Sequence, residues 1–119
     1  MTQVRPFSVL HVCMGNICRS PMAERLLVAR LRDELGPAAD ELVHSHGAGT
    51  ESWHHGQPMD PSAARQVAAR GGDPYTFRAR GLVAAHLADS DLVLTATAEQ
   101  AELVARMAPE VAPQLEGPE

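Results

Sequence analysis

"HVCMGNICRSPMAE", residues 11–24, closes an apolar, β-branched run and opens a helical pattern. Ser8–Cys13 reads as a buried strand ended by Gly15-Asn16. From Pro21 to Leu35 the spacing predicts a helix. Its apolar positions are Met22, Ala23, Leu26, Leu27 and Leu31, with Glu24, Arg25, Arg32 and Asp33 between them. Ser20 is placed to cap this helix, Pro21 suits its first turn, and Gly36-Pro37 stops it. A strand therefore runs through a short loop into a helix, the unit from which parallel sheets are built.

The rest of the chain repeats that unit. "ELVHSHGAG" (41–49) is a weaker strand ending in glycines, and Pro61–Arg70 predicts a second helix. Ala63, Ala64, Val67 and Ala68 form its buried side, and Gly71-Gly72 follows it. A helical turn is expected at Val83–Leu87, before "DLVLTA" (91–96), a continuous apolar strand of parallel-sheet type. Thr97 and Gln100 make a capping box for a third helix reaching about Met107. This alternation predicts an α/β fold of three layers, αβα. Its small parallel sheet has three to four strands, in the order 2-1-3-4 if a fourth is present. The domain is expected to span residues 1–108. "PEVAPQLEGPE" (109–119), with three prolines and three glutamates, reads as a loosely ordered tail with no further element.

Composition narrows the function. The chain has 119 residues, enough for one domain. Hydrophobic residues make up 45% but aromatics only 3%, so Leu, Val and Ala must build the core. A net charge of −5 argues against nucleic acid as a partner, because phosphate backbones need a clustered basic face. No polybasic block suggests a membrane surface. Phe7–Cys13 is far too short to cross a bilayer and lacks the features of a signal peptide. A cytoplasmic protein is expected, and two cysteines do not make a secreted disulfide framework.

In an open α/β sheet, ligands bind at the carboxyl ends of the strands, which is where Cys13–Arg19 falls. Gly15 and Asn16 tolerate left-handed angles, so the loop can curl with its amides inward and hold an anion. The field at the helix N-terminus favours a thiolate at Cys13. Ser20 can donate to that sulfur, and the Arg19 fork suits two phosphate oxygens. A nucleophile, an anion cradle and a clamp on one tetrahedral oxyanion point to phosphoryl transfer through a phosphocysteine. Cys13 and Cys18 lack the second ligand pair that a zinc site needs. His46, His54 and His55 read as loop and rim residues, so neither a metal nor any other cofactor is expected.

"VCMGNICRSPMAE" resembles the signature loop of the low-molecular-weight protein tyrosine phosphatases. "SHGAGT" followed by "WHHGQPMDPSA" is similar to that family's second strand and specificity loop. "RGGDPYTFRAR" resembles its Gly-x-Asp-x3-His-x-Ala-Arg segment, with Phe77 in place of histidine, and "ADSDLVLTA" matches its third strand. The likeness covers roughly residues 7 to 108. It implies that Cys13 is the nucleophile, Arg19 the phosphate clamp, and Ser20 the group that stabilises the thiolate. It also implies that Asn16 holds the loop's turn through its side chain. Met14, Gly15, Ile17 and Cys18 would bind phosphate mainly through their amides, and Trp53 and His54 would line the pocket. Arg80 would form a structural ion pair. The implied substrate is a phosphotyrosine-containing protein or a small aryl phosphate.

The family takes its general acid from an Asp-Pro-aromatic motif near the C-terminus, and "PEVAPQLEGPE" contains no aspartate. Asp73-Pro74-Tyr75 has the right letters, but its neighbours align Asp73 with a non-catalytic aspartate. The final strand also has no counterpart, which leaves oligomerisation open and an exposed sheet edge that could drive a homodimer. Slow turnover of poor leaving groups follows, because acid catalysis typically contributes ~10²–10⁴-fold. Two other functions fit the loop: arsenate reduction coupled to an external small thiol, and a non-catalytic phosphate- or phosphoprotein-binding module. Cys18 is either loop filler or the redox partner that traps an oxidised Cys13 as a disulfide.

Overall fold

The structure, a computed structural model, describes residues 5–109 and 115–116. Strand β1 (Phe7–Cys13) is buried from Ser8 onward, because helices cover both faces of the sheet. Helix α1 (Arg19–Leu35) follows the loop and ends at Gly36, whose φ of 67° lets its amide turn back onto the carbonyl of Arg32. A 3₁₀ turn (Gly36–Ala38) and a short helix α2 (Ala39–Leu42) lead into β2 (Val43–Gly49). Then come α3 (Pro61–Ala69), α4 (Ala84–Ala88), β3 (Leu92–Thr95), α5 (Ala98–Met107) and β4 (Leu115–Glu116). Thr97 and Gln100 form the expected capping box on α5, and Asp60 caps α3 by accepting from the Ala63 amide at 3.1 Å.

The sheet order is β2-β1-β3-β4 and every pairing is parallel. Leu10, Val12, Ala48 and Val93 pack with Leu87 of α4 and Val104 of α5 on one side. On the other, α1 and α3 clasp Met59, Ala63, Val67, Phe77 and Ala79, with Ile17, Met22 and Leu26 against them. These are the three layers read from the alternation, and β1 at the centre of the sheet carries the loop.

Three expectations change. The tail does contribute an element, since Leu115 and Glu116 pair with Val93 and Leu94. That pairing covers Val93 and Leu94 on the β3 edge expected to stand open. Residues 110–114 and 117–119, where the loose-tail reading also falls, lie outside the described residues. On α1, Ala23 faces solvent while Ser20, Pro21 and Glu24 are buried, because this end of the helix packs against the loop and β2, not against an apolar layer. On α3, Ala68 is exposed and Ala64 half-buried, leaving Ala63 and Val67 as its anchors. Among the described residues no helix is long and apolar enough to cross a membrane.

Candidate active site

The loop between β1 and α1 is held from outside by backbone bonds from the β2–α3 segment. Thr50 donates to the carbonyl of Cys13 at 2.9 Å, Glu51 to that of Met14 at 2.8 Å, and Asp60 to that of Ile17 at 2.8 Å. Close approach requires glycine twice. A Cβ on Gly49 would stand 2.7 Å from the Met14 carbonyl oxygen, and one on Gly15 would stand 2.8 Å from the His54 ring.

At the loop's centre Asn16 is fully buried with φ 57°, the left-handed region that asparagine tolerates best after glycine. Its amide donates to the Cys13 Sγ at 3.3 Å, and its Nδ2 donates to the Ser20 Oγ at 2.7 Å. Its Oδ1 accepts from the backbone amide of Arg80 at 3.0 Å. Ser20 Oγ lies 2.9 Å from the Cys13 Sγ. That oxygen accepts from Asn16 and keeps its own hydrogen to give, so towards a Cys13 thiolate, which has none, the Ser20 hydroxyl is the donor. The Asn16 amide and the Ser20 hydroxyl thus both lie against the buried Cys13 sulfur. Ser20 does not cap α1 as expected: Cys18 occupies the N-cap with no side-chain cap bond, and Ser20 sits inside the first turn with its hydroxyl committed to the loop.

The remaining predicted residues surround this core. Arg19 opens α1 and is exposed, as are Met14 and Cys18, while Ile17 tucks into the α1–α3 cluster. Cys13 and Cys18 are both free thiols. His54 lies against Gly15 and is oriented by Gln57, whose Oε1 is 2.8 Å from its Nδ1. Trp53 beside it is 67% exposed, so it is not part of the core.

Asp73 is unsuited to donate a proton. Its carboxylate accepts from the Tyr75 amide at 2.8 Å and from the Thr76 hydroxyl at 3.1 Å. The Tyr75 amide, chief among these, holds it below the ordinary aspartate range, the reverse of what a general acid at neutral pH needs.

Behind the loop lies a polar layer that the sequence reading did not foresee. Arg80 donates from Nε to the Gly47 carbonyl at 2.7 Å, and its Nη2 lies 2.6 Å from the His46 Nδ1. The expected ion pair is replaced by these neutral acceptors; among the described residues no carboxylate comes within salt-bridge distance of Arg80. Since Nδ1 accepts, His46 carries its proton on Nε2, 2.8 Å from the Ser8 Oγ. Burial, reinforced by neighbouring cationic groups, lowers His46 to about 4. His11 is likewise lowered to about 4 by burial, and it meets the Ser45 hydroxyl at 3.0 Å. Glu24 is raised by burial, with the neighbouring Arg25, 2.9 Å away, opposing the shift. The one signal in the sequence was Gly47: a Cβ there would meet Asn16 Nδ2 at 3.0 Å, the His11 carbonyl at 3.1 Å and Glu24 Oε1 at 3.2 Å.

Fold and loop together define an αβα protein with a buried cysteine, held by Asn16 and Ser20, at the end of strand β1. The chain belongs to the low molecular weight phosphotyrosine protein phosphatase family, whose model matches residues 8–116. It is 40% identical over 108 residues to low molecular weight protein-tyrosine phosphatase A of Mycobacterium tuberculosis, covering 90% of this chain and 63% of that protein. Among solved structures, YfkJ from Bacillus subtilis superposes with a TM-score of 0.86 at 28% identity, over 98% of this chain and 72% of that one. The tyrosine phosphatase Wzb from Escherichia coli K30, solved with sulphate, gives a TM-score of 0.76 at 29% identity, over 92% and 70%. The chain thus spans about 63% of the length of the mycobacterial relative.

Proposed function

We propose that the chain hydrolyses aryl phosphate monoesters, with phosphotyrosine in proteins as the natural substrate class, through a phosphocysteine at Cys13. The observation that carries this reading is the pair of hydrogen-bonding groups on the Cys13 sulfur, the Ser20 hydroxyl at 2.9 Å and the Asn16 amide at 3.3 Å. The sulfur attacks phosphorus as the P–O bond to the aryl oxygen breaks, and the electron pair leaves with that oxygen. Arg19 and the amides of residues 14–19 hold the equatorial oxygens. Water then cleaves the S–P bond, releasing inorganic phosphate and a thiolate that Ser20 stabilises. Trp53 and His54 form the wall for the aryl ring. Wzb, solved with sulphate, and the phosphatase names of the relatives support a tetrahedral oxyanion as ligand and favour phosphatase over arsenate reductase.

With Asp73 unsuited as an acid, we propose that a polypeptide of these 119 residues depends on its leaving group. Its rate should fall steeply as the leaving phenol becomes more basic. We place it in the cytoplasm, where thiols stay reduced. There Cys18 serves as redox partner: peroxide oxidises Cys13 to a sulfenic acid, and the Cys18 thiol displaces water to form the disulfide. Peroxide treatment followed by mass spectrometry should yield that link in preference to a sulfinic acid at Cys13.

The test of function is hydrolysis of 4-nitrophenyl phosphate by the chain and by Cys13→Ser, with vanadate protection of Cys13 from iodoacetate measured in parallel. Turnover lost in Cys13→Ser, with vanadate protecting the parent, supports the reading. Vanadate protection without turnover in the parent would instead favour the non-catalytic binding module.

A further inference from the structure

A sizeable cavity lies away from the loop. A groove of about 880 Å³ runs between α1, the outer edge of β2 and residues 71–80, and none of residues 13–20 lines it. Four arginines face it: Arg25, Arg32, Arg78 and Arg80. Two of them are neutralised. Arg25 pairs with Glu24 at 2.9 Å, and Arg32 reaches both oxygens of Asp40 at 3.0 and 2.9 Å.

The other two are not. Arg78 donates only to main-chain carbonyls, those of Phe77 at 2.6 Å and Tyr75 at 3.3 Å. Arg80 has the Gly47 carbonyl and the His46 imidazole, and His46 is held neutral by accepting at Nδ1. Among the described residues neither guanidinium meets a carboxylate within salt-bridge distance. Two further acids line the groove. Asp73 spends its oxygens on Tyr75 and Thr76, and Asp33 is exposed on α1. Arg80 is half-buried, so its charge is stripped of part of its water; Glu24 acts on it only from beyond salt-bridge distance and its direct partners are neutral, a state that favours binding an anion from solution. His44, exposed on the same groove and stacked on His46 at 4.6 Å between centroids, offers a further donor.

We propose that this groove is a second oxyanion site, which takes the phosphate group of a small phosphate ligand on Arg78 and Arg80. Guanidinium forks match phosphate oxygens in pairs. The site does not depend on the chemistry at Cys13. It is nonetheless wired to it, because the main-chain amide of Arg80 holds the Asn16 side chain.

The test uses the full chain carrying Cys13→Ser, so that no phosphate ester is turned over, followed by amide NMR during titration with inorganic phosphate or, separately, AMP. Saturable shifts are expected at residues 44–47 and 71–80, distinct from those at 13–20. Arg78 is exposed and bonds only to nearby carbonyls, so Arg78→Gln should fold normally and weaken the groove set about tenfold while leaving the loop set unchanged. Equal affinity for the two probes identifies the free anion as ligand, and tighter AMP binding identifies an organic phosphate. Shifts confined to 13–20 with both probes, shifts that never saturate, or a groove set unaffected by Arg78→Gln would each overturn the proposal.

Discussion

Replacing Asn16 with alanine removes the residue on which the loop turns. The Arg80 amide loses its acceptor, which costs about 1–2 kcal/mol for a partly buried donor left unpaired, and Ser20 loses a bond worth about 1 kcal/mol. Alanine at φ 57° adds about 1 kcal/mol of left-handed strain. The sum is about 3–4 kcal/mol. With a urea dependence of ~1–3 kcal/mol per molar, the unfolding midpoint read by far-UV circular dichroism should fall by roughly 1–4 M. Asn16→Gly should recover about 1 kcal/mol of that loss, since only the strain is relieved. Asn16→Asp keeps an acceptor for Arg80 but turns the donor on Ser20 into an acceptor. The Ser20 hydrogen then swings away from sulfur, and iodoacetamide should alkylate Cys13 more slowly than in the parent. An Asn16→Ala protein within ~0.5 kcal/mol of the parent, with Ala and Gly indistinguishable, would refute this reasoning.

Other outcomes follow from the same geometry. Gly49→Ala faces main-chain atoms, the Met14 carbonyl at 2.7 Å and the Glu51 carbonyl at 2.9 Å, and should destabilise by about 1–3 kcal/mol in urea melts. Gly15→Ala meets only the His54 ring, so removing that ring with His54→Ala should restore much of its loss. Burial lowers His11 from 6.5 to about 4, so between those pH values the unfolded chain binds the proton more readily than the folded one. Stability should therefore decline as pH drops through that window, by about 3 kcal/mol, and His11→Gln should flatten the decline in urea midpoints measured against pH. Glu24 works oppositely: its raised folded value means that stability is lost as pH rises past the ordinary glutamate range, and Glu24→Gln should remove that slope.

The alternation of elements was legible because β1 and β2 run into glycine and α3 and α5 carry start signals at Asp60-Pro61 and Thr97. The capping box at Thr97 and the stop at Gly36 stand where the residues placed them. Cys13, Asn16 and Ser20 could be grouped because they lie on one short loop. What stayed hidden was long-range. Nothing local marks Glu24 as buried, since its helical position alternates with apolar ones, and its inward turn depends on Gly47 leaving room on β2. Arg80 reads as a surface cation until the chain brings it beside His46 and Asn16, residues 34 and 64 positions away. β4 escaped because two residues in a proline- and glutamate-rich stretch carry no periodicity.

The central claim is that Cys13 itself takes the phosphoryl group. Rapid mixing with 4-nitrophenyl phosphate, acid quenching and peptide mass spectrometry would test it most directly. A burst of one 4-nitrophenolate per chain, with the phosphoryl mass on the peptide holding Cys13 and neither signal in Cys13→Ser, is the predicted result. Hydrolysis that persists in Cys13→Ser, or a phosphoryl group found on any other residue, would contradict the account.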